Sequence, residues 1–223
     1  MNNKIHKANI IGFATFEFKS FVGRLARQDK PKLSESMNYL NLGCGSNVVS
    51  GAINADFFSG FRFWKSQCKL EWHLDLRYPL NCRDSVFDGV FTEHTLEHIY
   101  PDDAMSLLKE LYRVMKEGAL IRVTVPDLDK YVQYYTGKMT EPDLSVFREK
   151  FPTGASAICN VAQNYLHLSL WDFEELKRFM EEAGFRDVQK MRYGECTDPR
   201  LCLDLKTRAW ETLYVEARKI SLS

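Results

Sequence analysis

Three side chains within five residues could do chemistry together. The stretch His94-Thr95-Leu96-Glu97-His98 fits the spacing H-x-x-E-H. On an α-helix the two imidazoles fall on one face, where they can share a zinc ion, with the carboxylate beside them as general base. That arrangement performs metal-assisted hydrolysis, and it needs a third protein ligand. The sequence offers no obvious one, so no metal site is expected. A five-residue pattern arises easily by chance, and its structural setting decides its meaning.

A second set is spread over four strand ends. In Leu40-Asn41-Leu42-Gly43-Cys44-Gly45-Ser46-Asn47 an apolar run stops at two glycines, which let the backbone turn sharply and approach a ligand. Asp56 closes the next apolar run, eleven residues after Gly45, placed to accept hydrogen bonds from a ribose diol. Asp75 closes a third run, where a carboxylate can accept from an adenine amino group, and Glu93 and His94 close a fourth. A nicotinamide-dinucleotide fingerprint would carry a third glycine at position 48, which is Val48. Its ribose acid would also stand about 20 residues beyond the glycines.

The elements that must hold these residues alternate along the chain. Strand-like runs are expected at residues 39–45, 52–56, 71–76, 87–93, 119–125, 188–193 and 210–217. A helix opens at Pro101 with Asp102 and Asp103 in its first turn. It carries Ala104, Leu107, Leu108, Leu111, Val114 and Met115 inward and closes at Lys116 and Gly118. Another spans residues 172–183, with Phe173, Leu176 and Met180 inward and Gly184 at its end. Such alternation implies a mostly parallel sheet covered by helices on both faces, with ligands at the carboxyl ends of the strands. The link Ser46–Gly51 is too short for a full helix between the first two strands.

Composition narrows the class. At 45% hydrophobic and 27% charged residues the chain reads as an ordinary globular protein, without an apolar run long enough to span a membrane. The opening residues lack a signal-peptide pattern, so a cytoplasmic location is expected. The six cysteines form no C-x-x-C pair and are expected as thiols. Net charge is zero, which excludes a globally basic nucleic-acid binder, but residues 1–32 hold seven basic residues against two acids, a local +5. In that segment Ile10, Ile11, Ala14, Phe18, Phe21, Val22 and Leu25 share one helical face, expected to dock on the domain. Peripheral contact with a membrane surface is the other use of such a face.

The chain resembles the class I S-adenosylmethionine (SAM)-dependent methyltransferases. Within them it is similar to small bacterial members associated with surface-polysaccharide pathways. The resemblance rests on LNLGCGSNVVSGAINADF, LDLRYPL, FDGVFTEHTLEHI, LYRVMKEGALIRVTVPDL and WDFEELKRFMEEAGF. It implies a Rossmann-like α/β fold with a seven-stranded, mostly parallel sheet, following an N-terminal helical extension over residues 1–35. It also implies SAM as cofactor: Gly43 and Gly45 at its methionine and ribose, Asp56 on the ribose hydroxyls, and Asp75 at the adenine. Phe57 and Leu76 flank these acids, and Glu93 and His94 lie beside the reactive methyl. Asn41 departs from the family pattern, which has an acid there; an amide can still bond the cofactor's amino group but brings no charge.

A sulfonium methyl is already activated, so the protein mainly has to align an acceptor. A hydroxyl acceptor also needs a base, for which His94, His98 and His167 are the candidates, His94 and His167 foremost. His98 packing or capping its turn, and His167 in a core or capping role, are the plainer readings. Residues 136–166 are longer than a simple connection and read as a substrate-side insertion. The expected function is methyl transfer to a small molecule or saccharide, O-methylation foremost. The alternatives are a non-catalytic SAM-fold binding protein and a zinc hydrolase using His94, Glu97 and His98.

Overall fold

The computed structural model describes residues 10–26, 30–57 and 70–221 of the chain. Its strands are β1 (Tyr39–Leu42), β2 (Ile53–Asp56), β3 (Trp72–His73), β4 (Phe87–Glu93), β5 (Met115–Pro126), β6 (Phe185–Met191) and β7 (Thr212–Lys219). They form one sheet in the order β3-β2-β1-β4-β5-β7-β6. β1 to β5 pair in parallel, and β7 runs antiparallel to both β5 and β6. Strand order reverses between β1 and β4, where Leu42 lies opposite Thr92. Gly43 and Glu93 therefore leave the sheet side by side, at the point where such sheets bind ligands.

β1 is buried throughout and β5 from Ala119 to Pro126, as continuous apolar runs in a covered parallel sheet should be. Helix α2 (Pro101–Val114) supplies Ala104, Leu107, Leu108, Leu111 and Val114 to that core. It stops at Val114, earlier than its periodicity suggests, because Met115 already pairs with Phe87 as the first residue of β5. Between β1 and β2 there are only turns, as the short link requires.

The stretch after β5 is a helical unit with its own core. α3 (Leu128–Tyr135), α4 (Asp143–Lys150) and α5 (Gly154–Gln163) gather Tyr131, Phe147, Phe151 and Val161 around Trp210. The Tyr131 and Phe147 rings lie 5.1 Å apart, and Phe147 and Trp210 5.3 Å. Thr153 and Ser156 close a reciprocal capping box at the start of α5. Helix α6 (Phe173–Glu182) then returns to the main core through Leu176, Phe179 and Met180.

The N-terminal helix α1 (Ile10–Ala26) docks by a different edge from the apolar one. Phe18, Phe21 and Leu25 are 63%, 56% and 68% exposed, and Ala14 is exposed too, while Ser20 is fully buried. Ser20 Oγ donates to Asp75 Oδ2 at 2.6 Å, Arg77 pairs with Glu17, Arg24 lies 3.7 Å over the Tyr78 ring, and Phe16 stacks on Phe57 at 4.4 Å. The buried Asp75 carboxylate needs donors more than the sheet edge needs apolar cover. The side chains of Ile10 and Ile11 lie outside the described ones.

Two cysteines depart from the expected thiols. Cys196 and Cys202 form a disulfide, their Cα atoms 5.6 Å apart across a tight loop, within the range such a bond requires. Cys44, Cys82 and Cys159 stand outside disulfides, and Cys68 lies outside the described residues. The same loop is held by Arg122, a fully buried guanidinium in the middle of β5. It bonds Asp204 at 2.6 Å and Glu216 at 2.9 Å, and donates to the carbonyls of Arg192 and Glu195. Replacing Arg122 by leucine strands two buried carboxylates, so denaturant unfolding of the variant should show a loss of about 3–5 kcal/mol. A loss below about 1 kcal/mol would mean the network does not constrain the fold.

Candidate active site

The glycine turn after β1 is held by the acid that ends β2. Gly45 N donates to Asp56 Oδ2 and Phe57 N to Asp56 Oδ1, each at 2.5 Å. Gly43 has φ +66°, and a Cβ there would strike Thr95 Oγ1 at 2.1 Å. Gly45 has φ +53°, and a Cβ there would meet nothing within 4 Å. The turn is thus closed against Thr95 on one side and open at Gly45 on the other. Asp56 keeps lone pairs beyond those two bonds, half-exposed beside the open glycine. This part of the site fits the methionine and ribose of SAM.

Other residues expected at the cofactor are committed elsewhere. Asn41 is buried, and its two N–H donors go to Asn47 O at 2.8 Å and Asn54 Oδ1 at 2.9 Å, so it braces the turn from behind. Asp75 presents no open carboxylate: Arg77 and Ser20 cover both oxygens. Burial alone would raise its pKa, but those hydrogen bonds and the Arg77 charge outweigh it and hold the carboxyl below its usual range. In this structure the acid anchors α1 through Ser20 and Arg77. Phe57 stacks on Phe16 of α1, and Leu76 packs against the main core. Glu93 Oε1 accepts from Leu205 N at 2.9 Å, and burial pushes its pKa up.

The H-x-x-E-H pattern is not on an α-helix. His94 follows β4 with φ +49°, a conformation rare for a side chain of this kind, and only residues 96–98 form a 3-10 turn. The zinc-protease setting is therefore absent. His94 is buried, and His94 N bonds Thr124 O at 2.9 Å. Its Nε2 lies 2.8 Å from Thr212 Oγ1, which itself donates to Arg208 O at 2.7 Å. A hydroxyl has one proton to give, so Nε2 carries the imidazole proton and Nδ1 the lone pair. Burial, with the Arg208 charge, brings the His94 pKa down to about 4. Nδ1 faces Glu97 Oε1 at 3.3 Å. His94 thus supports the turn from within.

Glu97 is 1% exposed, and burial drives its pKa up. His98 is on the open side of the same turn, its Nε2 3.9 Å from Glu97 Oε1, and burial lowers its pKa. The structure then brings in a residue 70 positions away. Leu168 N and Ser169 N both bond Glu97 O, at 2.7 and 3.2 Å, and Ser169 Oγ bonds Leu96 O at 3.0 Å. These bonds seat His167 against His98, ring centroids 5.1 Å apart. His167 Nδ1 lies 2.7 Å from Val161 O, and a carbonyl can only accept, so Nε2 carries the lone pair. Sequence reasoning missed Thr95, Thr212, Ser20 and Arg77, whose roles appear only through contacts across the fold.

Part of the chain and its fold are shared with known proteins. Residues 40–123 match the family model described as a methyltransferase domain, from β1 into β5. A SAM-dependent methyltransferase from Thermotoga maritima superposes with a TM-score of 0.50 at 17% identity, covering 93% of this chain and 95% of that one. Another from Archaeoglobus fulgidus gives 0.49 at 18% identity, covering 91% and 93%. A phosphoethanolamine N-methyltransferase from Haemonchus contortus gives 0.46 at 13% identity, covering 94% of this chain and 54% of that one. No curated protein matches the chain. The sheet order and the glycine–aspartate turn at the strand switch define a Rossmann-like methyltransferase fold. Residues 40–123 thus carry a methyltransferase domain, with SAM as the cofactor such a domain uses.

Charge-assisted hydrogen bonds of the kind Asp56 can make to a ribose diol contribute about 1.5–3 kcal/mol. Asp56→Ala should therefore weaken S-adenosylhomocysteine binding by about 10- to 150-fold in a calorimetric titration. Binding as tight as wild type would remove Asp56 from the cofactor site.

Proposed function

We propose that the protein transfers the methyl group to a hydroxyl of a saccharide acceptor, on the cytoplasmic side of a membrane. The observation that carries O-methylation is the histidine pair at the end of β4. An alcohol must lose a proton as it is methylated, and a neutral imidazole lone pair can take it. His98 is held towards its neutral form by burial, and a neutral His167 bonded to Val161 O through Nδ1–H has its lone pair on Nε2. Bound SAM supplies an electrophilic methyl on its sulfonium. The chain's residues do the rest. Gly43, Gly45 and Asp56 hold the cofactor, while Glu93 and His94 shape the floor at the end of β4. His98 and His167 meet the acceptor.

The saccharide is supported by the resemblance to methyltransferases of surface-polysaccharide pathways. The outward face of α1 supports a lipid-linked form of that acceptor. Phe18, Phe21 and Leu25 point away from the domain, in a segment with a net +5 charge. Apolar side chains with basic neighbours suit the interface of an anionic bilayer.

Two measurements test this reading. Radiolabelled methyl from SAM should appear on saccharide or lipid-linked saccharide hydroxyls in a panel that also contains amines. His167→Ala should lower turnover by about 100-fold or more while S-adenosylhomocysteine affinity stays within a few-fold. Label found only on amines, or unchanged turnover in the variant, rejects O-methylation through this pair. Separately, the full chain should co-sediment with vesicles containing anionic lipid, and Phe18→Glu/Phe21→Glu should abolish this. Sedimentation unaffected by the double substitution would leave α1 without a lipid role.

A further inference from the structure

Glu97 is fully buried, yet neither carboxylate oxygen has a hydrogen-bond partner beyond the residue's own backbone. Proteins seldom leave a buried carboxylate in that state. Among the described residues its ion-pair neighbours are histidines alone, His94 at 3.3 Å and His98 at 3.9 Å. An oxygen of Glu97 and one ring nitrogen each from His98 and His167 lie within 4.8 Å of one another. We propose that Glu97, His98 and His167 form a binding site for one divalent first-row transition-metal ion.

The donor set selects the kind of ion. Two imidazoles and a carboxylate suit zinc, iron(II) or manganese, whereas magnesium and calcium take oxygen ligands throughout. Bonds of about 2.0–2.2 Å require ligand atoms roughly 3–3.5 Å apart, so separations that now reach up to 4.8 Å must shorten by as much as about 1.5 Å. His98 is at the rim, its side chain 40% exposed although its neighbours strip enough water to lower its pKa, and His167 is half-exposed, so the imidazoles can move while Glu97 stays.

The surroundings are those of ligands held in place. His167 gives its other ring nitrogen to the Val161 carbonyl, the backbone bond that commonly orients a metal-bound imidazole. His94 Nδ1 stands behind the Glu97 carboxylate and is itself fixed by Thr212. The backbone bonds from Leu168 and Ser169 to Glu97 keep the two halves in register. Just before His167 the chain passes through Tyr165 and Leu166, both at positive φ, +61° and +62°. Such a conformation persists only where the surroundings impose it, and here it turns the chain back onto Glu97.

This set differs from the one the H-x-x-E-H spacing suggests: His94 is not a ligand, and the third ligand comes from beyond the helical insertion. Three protein ligands leave a position open for water or for an acceptor oxygen. An ion there would take over from the imidazoles the task of activating that oxygen. Only this last step rests on the methyl-transfer reading; ion binding stands apart from it.

The test uses tag-free, full-length protein stripped with chelator and titrated with cobalt(II) and zinc(II). Wild type should take up one equivalent of either ion, show a visible cobalt absorption band and gain thermal stability on loading. His167→Ala and the near-isosteric Glu97→Gln should each weaken uptake by about 100-fold or more. Their metal-free circular dichroism should match wild type; a variant that fails this check is replaced by His98→Ala. No uptake by wild type overturns the proposal. Uptake at wild-type affinity in both variants does so as well, since the ion would then sit elsewhere. Stoichiometric uptake without methylation of any hydroxyl acceptor upholds the metal site and rejects the O-methylation reading.

Discussion

A single buried cation organises the half of the molecule that faces the acceptor. Arg122 lies in the middle of β5 with no exposure, and its charge is balanced by Asp204 and Glu216, which are almost as buried. Removing three charges from water is costly, and the cost is offset only if every donor and acceptor is used. The guanidinium does this by reaching the carbonyls of Arg192 and Glu195 as well. In consequence the loop after β6 cannot drift from the sheet. That loop carries Leu205, whose N–H fixes Glu93 at the end of β4. An electrostatic requirement inside the sheet thereby sets the position of the end of β4.

From Glu93 onward, polar groups replace apolar packing as the organising material. His94 adopts a left-handed backbone and is held by Thr124, Thr212 and Glu97. The following turn presents backbone carbonyls to Leu168 and Ser169, so residues distant in sequence finish the site. Burial acts on the titrating groups here in opposite senses. It lowers His94 and His98 and raises Glu97, and both shifts favour neutral forms. A site kept neutral by exclusion of water remains receptive to a charged partner that brings its own compensation.

The sheet was legible in the sequence because its strands are short apolar runs with marked ends. β4 begins and ends where its pattern suggests, and Asp56 stands at the tip of β2 beside the glycines. Local patterns failed where a distant group decides. The apolar stripe of α1 pointed to the wrong docking face, since periodicity cannot register a buried Asp75 more than fifty residues away that needs Ser20. The helical reading of residues 94–98 failed because nothing in the residue type of His94 announces a positive φ. His167 joined Glu97 through backbone bonds between segments that share no pattern. The glycine at position 43 was readable as a turn, but its reason, the hydroxyl of Thr95, was not.

The place of β7 has a consequence for how the chain reaches this structure. β7 follows β6 in sequence but lies between β5 and β6 in the sheet. Until residues 212–219 arrive, β6 has no strand to pair with, and β5 exposes an unpaired edge along most of its length. On a ribosome adding about 5–20 residues per second, that edge stays open for at least a second after β6 emerges. Open edges are templates for pairing with other chains. The longest strand is therefore the one most in need of shelter during synthesis, and the final insertion of β7 removes the hazard and completes the sheet in one step.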